Sequence, residues 1–136
     1  MKIAFFIFLL TSMALVSGGT FSQTPAADIY TQCIARTKHD RLSCQTGCGM
    51  IVQQCYDEGI ADINNQITKL KNDIKTRNGI ACANLADNYL TEASHMESMI
   101  EKQTANLTGW IGSELSLNFA RQRLANVSLI NKSCKS

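Results

Sequence analysis

Cysteine is the residue type with the most chemistry to offer in this chain. A thiolate binds metals or attacks electrophiles, and two thiols together form a disulfide. Six are present, at Cys33, Cys44, Cys48, Cys55, Cys82 and Cys134. An even number in a short chain predicts a disulfide framework, although the spacing alone does not fix which cysteines pair. Each bridge is worth about 2–4 kcal/mol, a large share of the stability of a small domain.

A metal site is the alternative interpretation of three of these cysteines. Cys44, Cys48 and Cys55 could supply thiolates, but their spacing differs from the Cys-x2-Cys knuckle of zinc sites. The only histidines, His39 and His95, lie elsewhere in the chain, and neither has a metal-ligand partner three or four residues away. We therefore expect disulfides at all six cysteines and no bound metal.

Catalytic constellations are scarce. A cysteine nucleophile needs a free thiolate beside a histidine, and six paired cysteines leave none. The carboxylate pairs Asp57/Glu58 and Glu97/Glu101 have the spacing of helix-surface residues, and His39 is expected on a solvated helix face. No glycine-rich phosphate loop follows a strand. The sequence predicts neither an enzyme nor a cofactor.

The N-terminal residues indicate export. Lys2 precedes an apolar run over residues 3–16, and small residues follow at positions 17–19. This is the arrangement of a secretory signal peptide, so we expect residues 1–22 to be removed by cleavage near positions 18–22. An uncleaved membrane anchor is the alternative, but a span needs about 20 apolar residues and this run is shorter.

The mature chain is expected to be one domain of nearly neutral charge. Residues 23–27, which include Pro25, form a linker, and residues 28–136 form the domain. The whole chain has 13 basic and 11 acidic residues, one of the basic ones in the signal peptide. No basic stripe stands out, so we expect no nucleic-acid partner. Neither half is strongly charged, which gives no support for electrostatic attachment to a membrane surface.

Apolar residues at helical spacing dominate the rest of the sequence. The clearest segment covers residues 50–77 and ends at Asn78–Gly79, a typical helix stop. Its apolar stripe consists of residues spaced by threes and fours: Val52, Tyr56, Ile60, Ile63, Ile67, Leu70 and Ile74.

Three further helices are predicted, over residues 81–103, 110–132 and 28–42. The first of these has the inward stripe Cys82, Ala86, Tyr89, Ala93, Met96 and Ile100. The second has Trp110, Leu117, Ala120, Leu124 and Val127. No stretch alternates like a strand. The prediction is an all-α fold, a small disulfide-linked bundle of three to four helices.

The clustering of four cysteines between positions 33 and 55 predicts a break in the chain direction. If all six cysteines pair, at least one bridge joins two members of this group. On one unbroken helix, neighbours seven or eleven residues apart would stand about 10 or 16 Å apart, beyond the ~7 Å limit for a disulfide. We therefore expect an αα-hairpin turn at residues 46–49, bridged from Cys33 or Cys44 to Cys48 or Cys55.

One family resemblance carries an expectation about function. The stretch from Cys44 to Ile67 resembles the start of the domain in LprI-type lysozyme inhibitors. In that family two cysteines about ten residues apart, here Cys44 and Cys55, are paired ahead of an amphipathic helix, so the resemblance implies a bridge between them. The similar positions are Ala61, Asp62 and Asn64 in this stretch, and Trp110, Arg121, Arg123 and Cys134 in the C-terminal helix. The resemblance implies an exported protein that binds and inhibits a lysozyme.

Two functions therefore compete. The first is a periplasmic or extracellular binding protein, with another exported or cell-envelope protein such as a lysozyme as partner. The second is a carrier or chaperone for a lipid or peptide, with an apolar groove between helices. Tyr89, Met96 and Met99 are the candidate walls of that groove, although core packing is the other interpretation of these residues.

Overall fold

Five helices account for nearly all of residues 28–107 and 109–135, the part of the chain that the computed structural model describes. They are α1 (Ile29–Arg36), α2 (Lys38–Ser43), α3 (Cys48–Arg77), α4 (Gly79–Thr104) and α5 (Ile111–Ser133). No strand occurs in these ranges, so the all-α prediction is confirmed. None of the helices is long and apolar enough to cross a membrane. The expected signal peptide and linker lie outside the described residues.

Helix α3 is the longest element, and it contacts each of the other four helices. Its 30 residues extend about 45 Å. The predicted stripe is confirmed: Tyr56, Ile63, Ile67 and Ile74 are buried, and the remaining members pack at the edge of the core. Burial of this stripe, rather than helix propensity, therefore holds so long a helix in place.

Helices α1 and α2 form an arm over the first half of α3. Asp28 caps α1 by accepting a hydrogen bond from the Thr31 backbone N–H at 2.8 Å. The predicted helix over residues 28–42 is interrupted at Thr37, between α1 and α2. A buried disulfide joins Cys33 to Cys55 and fixes α1 on α3.

A second disulfide closes the turn between α2 and α3. It joins Cys44 to Cys48, and both residues are half-buried. Gly47 adopts the left-handed conformation (φ +72°) and lets the chain reverse direction, as a glycine can at little cost. The predicted hairpin is confirmed, with α3 beginning at Cys48, inside the range where we expected the break. Both bridges in this region follow the predicted pattern.

At the other end of α3, one residue separates it from α4. Asn78 follows α3, and Gly79, again left-handed (φ +82°), opens α4. The Asn78 side-chain amide donates to the Asn131 side-chain oxygen at 3.0 Å, which ties the turn to the end of α5. The third disulfide, Cys82–Cys134, joins α4 to α5 beside it. We call this end of the bundle, where α3 and α5 end and α4 begins, the hairpin end.

Small residues let α4 and α5 pack closely. Ala86, Ala93 and Ala120 are buried between the helices, together with Leu117 and Val127. The predicted stripe of α4 is wrong at Met96, whose side chain is exposed. The core on this side is filled by alanines, which leaves the longer side chain on the outside of the helix.

The three disulfides should contribute unequally. In the chain-entropy account, the stabilisation that a disulfide provides increases with the logarithm of the number of residues in the loop that it closes. We expect the double variant Cys44→Ser/Cys48→Ser to lose about 2 kcal/mol of unfolding free energy and Cys82→Ser/Cys134→Ser about 4 kcal/mol. Denaturant unfolding monitored by circular dichroism measures both values. Equal losses would show that the bridges act through local packing instead.

Helix α1 can approach α3 only because residue 59 is glycine. A Cβ built there would stand 2.8 Å from the Tyr30 Cβ and 3.3 Å from Leu117 Cδ1. We expect Gly59→Ala to lower the unfolding free energy by about 1–3 kcal/mol, because neither neighbour can move freely. Gly112→Ala is the matched control, since its Cβ would meet only Thr104 Oγ1 at 3.6 Å. A Gly59→Ala variant as stable as the Gly112→Ala variant would disprove the close approach.

Candidate functional site

Three aromatic rings and one guanidinium form a continuous stack across α1, α3 and α5. The ring centroids of Tyr30 and Tyr56 lie 4.8 Å apart, and those of Tyr56 and Trp110 lie 6.0 Å apart. The Arg121 guanidinium carbon lies 5.7 Å from the Tyr30 centroid. Because Tyr56 is buried in the core, the stack anchors Trp110 to the interior.

Trp110 is the outermost member of this stack. It precedes α5 as the N-cap residue, after the left-handed Gly109 (φ +83°), and its ring packs 3.4 Å from the Cβ position of Gly49. The helix begins within one residue of the predicted position, and the inward placement of Trp110 is only partly right, because 38% of the residue is exposed. Most of the residue is covered by protein, and the exposed part is open to a partner.

Other apolar side chains are exposed at the same end of the bundle. Met50 lies in the first turn of α3, Leu107 follows α4, and Ile111 starts α5; each is at least half exposed. We call these three and Trp110 the apolar patch, and this end of the bundle the aromatic end. Scattered apolar residues are ordinary on a protein surface, but several large ones at one end are a feature of interaction sites.

A polar cleft of about 560 Å³ opens between α3, α4 and α5 beside the apolar patch. Asp57 and Glu101 line it, and neither forms an ion pair with a described residue. Asp57 accepts a hydrogen bond from Gln53 at 2.9 Å, and Gln53 in turn accepts one from the Ser113 hydroxyl. We call this polar cleft the acidic cleft.

An ion pair lies where α4 meets α5, and its basic member, Arg123, is the one cation among the residues that line the acidic cleft. Arg123 Nε lies 2.9 Å from Glu97 Oε1, and both side chains are about four-fifths buried. Burial raises the pKa of Glu97, and the Arg123 charge only partly offsets that effect. The pair therefore holds the two helices in register and presents no free charge to a ligand.

A second cleft, of about 430 Å³, lies between α1, α3 and α5. Its walls are mostly apolar, with Arg121 and Asp28 paired at its edge. Burial alone would raise the pKa of Asp28, but hydrogen bonds from Thr31 and the Arg121 charge outweigh it and lower the pKa below its usual value. Asp28 is thus held ionised and fastens α1 to α5. We call this the apolar cleft.

The residues singled out from the sequence are dispersed in the structure. His39 and His95 are exposed, and no group of three potential metal ligands occurs within the described ranges. Tyr89 is half-buried and accepts a hydrogen bond from Asn126 at 2.8 Å. It does not line any of the described clefts, and neither do the exposed Met96 and Met99.

The resemblance positions on α5 have structural partners. Arg121 pairs with Asp28 and Arg123 with Glu97. Cys134 is bridged to Cys82. The bridge between Cys44 and Cys55 that the resemblance implies is wrong, because Cys44 pairs with Cys48 and Cys55 with Cys33.

The apolar patch was not predicted, because Met50, Leu107 and Ile111 belong to no predicted helical stripe and Trp110 was assigned to the inward stripe of its helix. They stand at the ends of three helices, and only the fold brings these ends together. One local signal could have indicated it: residues 107–111 read Leu-Thr-Gly-Trp-Ile, an apolar segment around a glycine where a connection between helices is normally polar.

Comparison with protein-family models, with curated proteins and with solved structures gives no significant match for this chain. The geometry of the described residues therefore carries the functional argument.

The burial of Tyr56 has a consequence for stability at high pH. Burial, and then the neighbouring Tyr30, raise the pKa of Tyr56 from 10.0 to about 12. When folding raises the pKa of a group, its protonated form stabilises the folded state, and this stabilisation is complete only at pH values below the unfolded-state pKa. We therefore expect the unfolding free energy to fall as the pH rises from about 10 to 12. Denaturant unfolding across this range should show a steeper decline for the unmodified chain than for Tyr56→Phe. Parallel profiles would show that Tyr56 ionises as easily in the fold as outside it.

Proposed function

We propose that this chain is an exported binding protein that acts by contact with another protein through its aromatic end. The observation that carries the proposal is the seating of Trp110, which stacks on buried Tyr56 yet remains 38% exposed. Interface hot spots are enriched in tryptophan held in well-packed surroundings. A side chain that is already ordered also loses little entropy on binding.

The surroundings of Trp110 favour a basic partner. The unpaired carboxylates Asp57 and Glu101 line the acidic cleft, and Glu114 is exposed in the first turn of α5. Carboxylates beside an apolar patch attract lysine and arginine side chains of a partner and speed its association. The patch supplies the buried centre of such an interface, and the carboxylates supply its polar rim.

Export is supported by two independent features. The N-terminal residues have the arrangement of a signal peptide, and the described cysteines are all paired. Disulfides persist in oxidising compartments such as the periplasm or the extracellular space. The resemblance to LprI-type lysozyme inhibitors then makes a basic lysozyme the partner to test first.

Trp110 is the only tryptophan of the chain, but a lysozyme contains tryptophans too, so tryptophan fluorescence would not report on Trp110 alone. Binding is therefore best measured by isothermal titration calorimetry, with inhibition of cell-wall lysis as a second readout. We expect Leu107→Asp to weaken binding by more than about tenfold, because it places a charge within the apolar patch. The matched control is Leu129→Asp on α5 near the hairpin end, an equally exposed leucine that should bind within about twofold of the unmodified chain.

The arms of this experiment separate two failures. Binding that Leu107→Asp and Leu129→Asp weaken equally would contradict the placement of the interface. If no basic lysozyme binds, the lysozyme is rejected as partner. If other basic exported proteins also fail to bind, the proposal itself is wrong.

A carrier function is the second candidate, and the apolar cleft is the observation that favours it. Ile29, Ile63, Leu117 and Leu124 line a space large enough for a small amphipathic molecule. This cleft replaces the Tyr89, Met96 and Met99 groove that the sequence predicted.

Displacement of an environment-sensitive dye by a fatty acid tests the carrier function. Ile29→Trp should obstruct the cleft and reduce dye binding severalfold. Ile34→Trp, on the same helix but outside the cleft, should leave dye binding unchanged. Equal binding by both variants, or none by the unmodified chain, would remove this candidate.

A further inference from the structure

Basic and acidic residues are interspersed along the sequence, but the fold brings an excess of basic residues together at one end of the bundle. Residues 69–87 and 132–135, which form the hairpin end, contain six lysines and arginines but only two aspartates, a net charge of +4. The other described residues contain six basic and nine acidic residues, a net charge of −3. The near-neutral balance of the sequence therefore hides a bundle with one basic end.

Ion pairs neutralise only part of this basic end. Asp73 forms ion pairs with Arg77 at 2.6 Å and with Lys135 at 3.4 Å. Asp87 forms one with Lys71 at 2.7 Å. The remaining three cations have no described carboxylate within ion-pair distance: Lys69, Lys75 and Lys132. Their charge is available to an anionic partner.

Exposed apolar side chains accompany the free lysines. Ile80 lies at the tip of the turn, directly after left-handed Gly79, and is 73% exposed. Leu85 and Leu129 are more than half exposed on the adjoining turns of α4 and α5. The Asn78–Asn131 hydrogen bond and the Cys82–Cys134 bridge hold the tip in position.

We propose that the hairpin end binds the surface of an anionic lipid bilayer. Lysines meet the lipid phosphates, and Ile80 enters the interface between headgroups and acyl chains. A bilayer is favoured over a nucleic acid because a phosphate backbone offers nothing to an isoleucine at the centre of the contact. This surface is separate from the aromatic end, so the inference does not depend on the proposed function.

Co-sedimentation of the mature chain with phosphatidylglycerol vesicles tests the inference, with phosphatidylcholine vesicles as the neutral comparison. We expect binding to the anionic vesicles at low salt, a decline as salt rises, and little binding to the neutral ones. Lys75→Glu/Lys132→Glu should lower the partition coefficient by about tenfold or more.

Ile80→Asp tests the apolar part of the contact. Aspartate suits the first turn of a helix, so α4 should fold normally, and circular dichroism checks this. We expect vesicle binding to fall by about fivefold or more. Leu42→Asp is the matched control, because Leu42 is as exposed as Ile80 but lies on α2 at the aromatic end. Lys38→Glu on the same helix measures the effect of added negative charge alone. The loss of vesicle binding in Leu42→Asp should not exceed the loss in Lys38→Glu.

Three results would overturn the inference. The first is no binding to anionic vesicles at low salt. The second is equal loss of binding in Ile80→Asp and Leu42→Asp. The third is binding to duplex DNA as tight as to the vesicles at the same salt concentration, which would assign the basic end to a nucleic acid.

Discussion

The fold depends on its disulfides because its interior is small. Twelve apolar residues are buried in the described part of the chain; four of them are alanines, and two are the bridged Cys33 and Cys55. Such a core offers limited hydrophobic stabilisation for helices of 23 to 30 residues. Each bridge closes a different junction: the arm to α3, the turn before α3, and α4 to α5. The covalent links thus fix the helix ends that the core does not reach.

The positions of the two proposed surfaces follow from this constraint. At the aromatic end, the Cys33–Cys55 bridge holds α1 against α3, so that Tyr30 packs on Tyr56. Tyr56 in turn stacks on Trp110. At the hairpin end, the Cys82–Cys134 bridge holds α5 beside the turn and keeps its lysines together. A bundle attached to a bilayer by one end would present its opposite end to a soluble partner.

The sequence predicted the elements better than the surfaces. The stripe from Val52 to Ile74 predicted α3 because spacing by threes and fours has one structural meaning, and the cysteine positions predicted the hairpin because helix geometry limits a bridge. Met96 was misplaced because it continues the spacing of the buried Ala86 and Ala93, whereas the next residue, Glu97, is the one that turns inward at that position and pairs with Arg123. Trp110 was assigned to an inward stripe and Ile80 to none, since both lie at helix ends whose neighbours are distant in sequence. The basic end could not be predicted from the sequence either, because Lys132 lies close to the end of α3 only once α5 has packed against it.

The pairing of the cysteines is the claim on which the rest depends, and peptide mapping without reduction tests it directly. Trypsin leaves Cys44, Cys48 and Cys55 in one peptide, and cyanogen bromide then cuts that peptide after Met50. The structure predicts a free fragment of residues 42–50 with an internal bridge, and a linked pair that carries Cys33 and Cys55. Cys82 and Cys134 should appear in a third linked pair. Free thiols at these positions, or fragment 42–50 attached to either of the other two, would contradict the account.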